Sequence, residues 1–119
     1  MDKMLEDKLL IEKAANGEFN EQQKRIAEIG QDWVATLIRK NLDYGGSVFQ
    51  APILAPDLPV DSAIRVRMSD KIQRLMTLLA GNKNLVQDEG IEDTFKDLGA
   101  YCLLRAVAIK LEKESNGPV

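Results

Sequence analysis

Apolar residues in this 119-residue chain recur every three or four positions, and no run alternates long enough to make a convincing strand. That periodicity restricts the chain to helices. Ile26, Ile29, Trp33, Val34, Leu37 and Ile38 form one stripe, and Ile64, Met68, Ile72, Leu75 and Leu79 form a second. A further face holds Ile91, Phe95, Leu98, Cys102 and Ile109. From Ala100 to Leu111 the last helix is apolar nearly all round, broken by Arg105 and Lys110. Such a helix sits in the middle of a bundle or across an oligomer interface. The expected fold is all-α, a helical bundle of about four main helices that assembles as a homo-oligomer. By size, residues 1–114 make one domain, with 115–119 a frayed tail.

Local punctuation divides the helices. Met1 to Ala15 reads as a short amphipathic helix carrying Met4, Leu5, Leu9 and Ile11. Asn16-Gly17 ends it, because both residues tolerate left-handed backbone. Asn20 opens the second helix, with Gln23 three positions on as its capping partner. Gly30 weakens that helix by about 1 kcal/mol relative to alanine, which suggests a close approach by another helix. Leu42 to Val60 is the long irregular loop, containing Gly45-Gly46 and Pro52, Pro56 and Pro59. A connection of that length in a compact domain is more often functional than filler. Asp61 or Ser62 caps the third helix, which Gly81 to Asn84 closes. Asp88 caps the last, which runs to about Glu114.

Composition removes whole classes of chemistry. There is no histidine, so Ser-His and Cys-His catalysis and imidazole acid–base work are excluded. Chemistry would fall to carboxylates, lysine, tyrosine or a hard metal such as Mg²⁺. The net charge of −3 gives no basic field to recruit duplex nucleic acid. No apolar run reaches bilayer length, so no membrane span is expected. Met1 to Leu10 lacks a signal-peptide core, and the single cysteine suits a reducing cytoplasm. Cys102, in the run Tyr101-Cys102-Leu103-Leu104, reads as a small buried hydrophobe.

Three segments carry the candidate site. Arg67, Lys71 and Arg74 share one narrow helical stripe, with Asp70 at its edge. Crowded cations repel, and an anion in front of them relieves that. Arginine matches phosphate bidentately and lysine adds a point charge. The bland alternative is a solvated face with an Asp70–Arg74 pair. Glu89, Asp93 and Asp97 follow at four-residue steps. Clustered carboxylates at that spacing destabilise a helix and suit Mg²⁺; the alternative is an acidic exposed face, with Lys96 compensating. Asp43-Tyr44-Gly45-Gly46 follows Lys40 at a helix end. Tyrosine can stack on a base, and the glycines let backbone approach a phosphate. The same four residues also read as an ordinary helix stop. Neither a G-x-x-x-x-G-K phosphate loop nor a dinucleotide-binding G-x-G-x-x-G is present.

In order, K-N-x-D-Y-G, R-x-x-D-K-x-x-R-L and D-E-x-x-x-D-T-x-x-D-L-x-x-Y resemble a phage and bacterial family. That family is nucleotide modification associated domain 1, and the likeness spans roughly Trp33 to Leu111. The resemblance implies a phage-type protein of nucleotide metabolism or modification, acting in the host cytoplasm. The last segment is also similar to the all-α nucleoside triphosphate pyrophosphatases of the MazG and dimeric dUTPase type. Asp97 before Leu98 fits the final aspartate of their E-x-x-D motif. The glutamate position falls at Thr94, with Asp93 one place earlier, and their E-E-x-x-E motif has no counterpart. That likeness implies a Mg²⁺-dependent nucleotide pyrophosphohydrolase. Asp93 and Asp97 would be catalytic. Glu89, Asp93, Asp97 and Asp70 would hold the metal. Lys40, Asp43, Tyr44, Gly45, Arg67, Lys71 and Arg74 would hold the substrate. Two alternatives stay open: a non-catalytic protein that sequesters a nucleotide, such as a cyclic dinucleotide, and an inhibitor that binds a host protein.

Overall fold

The structure, a computed structural model, describes residues 2–81 and 90–116. It is all-α: α1 (Lys3–Ala15), α2 (Glu21–Asp43), α3 (Val60–Leu79) and α4 (Ile91–Asn116), with a 3₁₀ turn at Ser47–Phe49. Among the described residues there is no strand, and no helix is long and apolar enough to cross a membrane. The chain forms two compact units, Met1–Lys40 and Asn41–Val119.

In the first unit the helix ends follow local chemistry. The Asp2 carboxylate accepts the Met4 N–H and starts α1. At its far end the Glu18 N–H donates to the Lys13 carbonyl and the Gly17 N–H to the Ala14 carbonyl. This closure needs left-handed backbone, and Gly17 supplies it at φ 83°. Asn20 and Gln23 cap α2 reciprocally, each side-chain oxygen accepting the other's backbone N–H at 3.1 Å. The packing differs from the sequence expectation. Ala14 and Ala27 are the buried apolar residues of this unit, while Met4, Leu5, Leu9, Ile11, Ile26, Ile29, Val34 and Ile38 are exposed. Two helices alone offer too little facing surface to enclose side chains of that size. Gly30 marks no close approach, since a Cβ built there meets nothing within 4 Å.

The second unit takes in the end of α2, the loop, α3 and α4. The loop is more ordered than its composition suggests. Helix α2 persists to Asp43, the 3₁₀ turn Ser47–Phe49 lies against α3, and backbone bonds Ala55 N to Pro52 O and Leu58 N to Ala55 O close two further turns. Pro59, not Asp61 or Ser62, stands at the cap of α3, and Ala63 N–H donates to its carbonyl at 3.0 Å. Proline has its φ already fixed near the helical value and loses no helical donor at that position. Gly81, at φ 88°, follows the last turn of α3; Asn84 and the Asp88 cap lie outside the described residues. Helix α4 is described from Ile91, and the Thr94 N–H and hydroxyl both donate to the Gly90 carbonyl, at 2.9 and 2.7 Å.

Helices α3 and α4 pack antiparallel, joined by two ion pairs, Asp61–Arg105 and Lys71–Asp97. The buried row on α3 runs Ile64, Leu75 and Leu78, with Met68 and Lys71 half-buried between them. Ile72 and Leu79, expected inside, are exposed. Lys71, on the inward side of α3, meets Asp97. Helix α4 presents Thr94, Asp97 and Arg105 to α3, and Thr94 is only 3% exposed. The expected apolar face of α4 lies about 100° round the helix from that row. Ile91, Phe95, Cys102 and Ile109 are therefore exposed, and Leu98 is half-buried. Cys102 is thus a surface thiol, not a core residue.

Candidate functional site

On α3, Arg67, Lys71 and Arg74 fall within an arc of about 60°, beside the buried row. All three are half-buried. The Lys71 Nζ lies 3.1 Å from Asp97 Oδ2 on α4, with side chains 31% and 47% exposed. This contact brings the cationic segment and the acidic one together across the helix pair. Arg67 makes no side-chain hydrogen bond or ion pair among the described residues. Asp70 is exposed at the edge of the arc.

The carboxylates divide. Asp97 is half-buried and engaged by Lys71, whereas Asp93, one turn earlier, is exposed. Glu89 lies outside the described residues. Among those described, no group of three or more Asp, Glu, Cys or His side chains could hold a metal ion. Asp97 is the acid best placed toward the cations, and an ammonium already neutralises it.

The Asp43-Tyr44-Gly45-Gly46 segment is built as a helix stop. Gly45 and Gly46 both have left-handed backbone, at φ 61° and 73°. The Gly46 N–H donates to the Asn41 carbonyl, the Ser47 N–H to Tyr44, and the Phe49 N–H to Gly46. These amides are spent inside the turn and are not presented to a ligand. Tyr44 is exposed, with its ring open to stacking. Lys40 is the last residue of the other unit and is exposed.

A second charged cluster escaped the sequence reading. Arg105 Nε on α4 donates to Asp61 Oδ1 on α3 at 2.7 Å, and Arg65 Nε lies 3.4 Å from the other oxygen of Asp61. The one available signal was Arg105 itself, a charge set within the apolar run from Ala100 to Leu111. A charge there needs a partner. The chain matches no family model, no curated protein and no solved structure.

Proposed function

We propose that the α3 row of Arg67, Lys71 and Arg74 binds the phosphate of a nucleotide, in a phage-type protein of nucleotide metabolism or modification. One observation carries this reading. Arg67 is a half-buried residue whose side chain has no partner among the described residues, one turn from Lys71. Its guanidinium is thus left to engage a phosphate oxygen pair bidentately. Exposed Tyr44 is the candidate for stacking on the base.

The Lys71–Asp97 pair favours binding without metal, because a carboxylate already neutralised gains less from a second cation. The second reading is Mg²⁺-dependent hydrolysis. A phosphate would draw the Lys71 ammonium off Asp97 and release that carboxylate, together with Asp93, toward Mg²⁺. The metal would then supply an activated water.

Calorimetry with nucleoside triphosphates and cyclic dinucleotides, in Mg²⁺ and in EDTA, separates the two. The expected result is binding that survives EDTA and yields no product. Arg67→Gln and Lys71→Met should each weaken it by about tenfold or more, the worth of a charge-assisted hydrogen bond. Binding lost in EDTA, with pyrophosphate released in Mg²⁺, assigns the hydrolase instead. Absence of binding under both conditions refutes both.

A further inference from the structure

We infer that two copies of this chain pair antiparallel through one uncharged stripe of α4. The stripe runs Ile91, Phe95, Leu98, Cys102, Ala106 and Ile109, within an arc of about 80° and over about 27 Å of helix. All but half-buried Leu98 are exposed, and Phe95 is 51% exposed. The stripe lies about 100° round the helix from the row that packs on α3. Among the described residues of the second unit, the buried apolar ones are Ala63, Ile64, Leu75 and Leu78, none of them on α4.

The order of residues along the stripe points to a second copy as its cover. Read from opposite ends, the stripe sets large side chains against small ones between two isoleucines. Ile91 and Ile109 lie equally far from a midpoint near residue 100, Leu98 answers Cys102, and Phe95 answers Ala106. In a twofold antiparallel pair each large side chain therefore meets a smaller one, and isoleucine meets isoleucine, which lets the two rows interdigitate. The flank farthest from α3 repeats the arrangement. Centred one residue on, at 101, Glu92 answers Lys110 and Gly99 answers Leu103. Opposite charges thus meet at both ends, and a large side chain meets a glycine between them. A partner of unrelated sequence would not require this symmetry.

The pairing is independent of nucleotide binding and is tested without it. Light scattering of the full chain should give twice the 13.3 kDa chain mass. Phe95→Glu should give a monomer with unchanged helical circular dichroism. Glu92→Lys should weaken association, and adding Lys110→Glu should restore it, which mere misfolding would not do. Cys102, the chain's one cysteine, should report the geometry directly. The two cysteines would be offset by about 6 Å along the axis, which with axes about 8–10 Å apart puts their Cα atoms about 7–8 Å apart. That is too far for a disulfide but suits a short bis-maleimide, which should yield a covalent dimer. A chain that stays monomeric at every concentration overturns the proposal. So does a dimer that is indifferent to both Phe95→Glu and Glu92→Lys and is not joined at Cys102.

Discussion

Asp61 and Arg105 lie 44 positions apart in the chain and meet at 2.7 Å, so their interaction is measurable as a coupling energy. The perturbation is a double-mutant cycle: Asp61→Ala, Arg105→Ala and the pair. The side chains are 43% and 39% exposed, so water screens them and the cost typical of a broken buried pair does not apply. A short, charge-assisted contact at this exposure belongs near the upper end of surface pairs, about 0.5–1 kcal/mol of coupling. The single costs should be unequal. Asp61 is also ion-paired with Arg65 and stands in the first turn of α3, where a carboxylate gains about 0.3–1 kcal/mol from the helix dipole. Asp61→Ala should therefore cost about 1–2 kcal/mol, more than the charge of Arg105 alone accounts for. The assay is urea unfolding followed by circular dichroism at one fixed protein concentration, in low salt and again in 1 M NaCl. Salt should shrink the coupling. A coupling of zero in low salt, or one that grows with salt, would refute the assignment of this pair as the tie between α3 and α4.

Three further substitutions test local assignments. Gly30→Ala should stabilise α2 by about 0.5–1 kcal/mol, read as a rise in the urea midpoint, because nothing packs on that position; a loss of stability would place a neighbour there. Gly45→Ala should destabilise by about 1 kcal/mol through its left-handed backbone, although its Cβ meets nothing within 4 Å. Asn20→Ala should cost about 1 kcal/mol by removing half of the reciprocal cap, with loss of amide protection confined to the start of α2.

What the sequence made legible was decided by neighbours in the chain. Asn16-Gly17 and the Asn20/Gln23 cap are local chemistry, and both stand where the residues place them. Direction of burial was harder. Helix α4 is apolar on so many sides that periodicity names no single inner face, and the choice fell to Asp97 and Arg105, whose partners sit on another helix. Lys71 likewise sits inside and Ile72 outside, against the hydrophobic pattern. For the candidate site, opposite charges on two segments were visible, but which lysine meets which aspartate depends on how the helices lie against each other. Asp61–Arg105 was hidden for that reason. The D-Y-G-G turn shows the reverse case. Its function as a helix stop was readable, and the Gly46 amide proves to be occupied by that role.

The two ion pairs between α3 and α4 also decide where along its length one helix stops against the other. The inward row of α3, Ile64, Met68, Lys71, Leu75 and Leu78, alternates steps of four and three and so repeats every seven residues. Aliphatic contacts alone would let α4 slide by one such repeat at little cost. With the charges in place, neither slide is equivalent. One sets Asp61 opposite Glu112 and leaves Lys71 facing Leu104; the other sets Asp61 against Leu98 and Lys71 against Gly90. Each pair is worth little as stabilisation, yet together they exclude the neighbouring alignments, as a single polar residue does in a coiled-coil seam. Lys71 and Asp97 thus act as a ruler for the hairpin, and a ligand that drew Lys71 away would release one of its two marks.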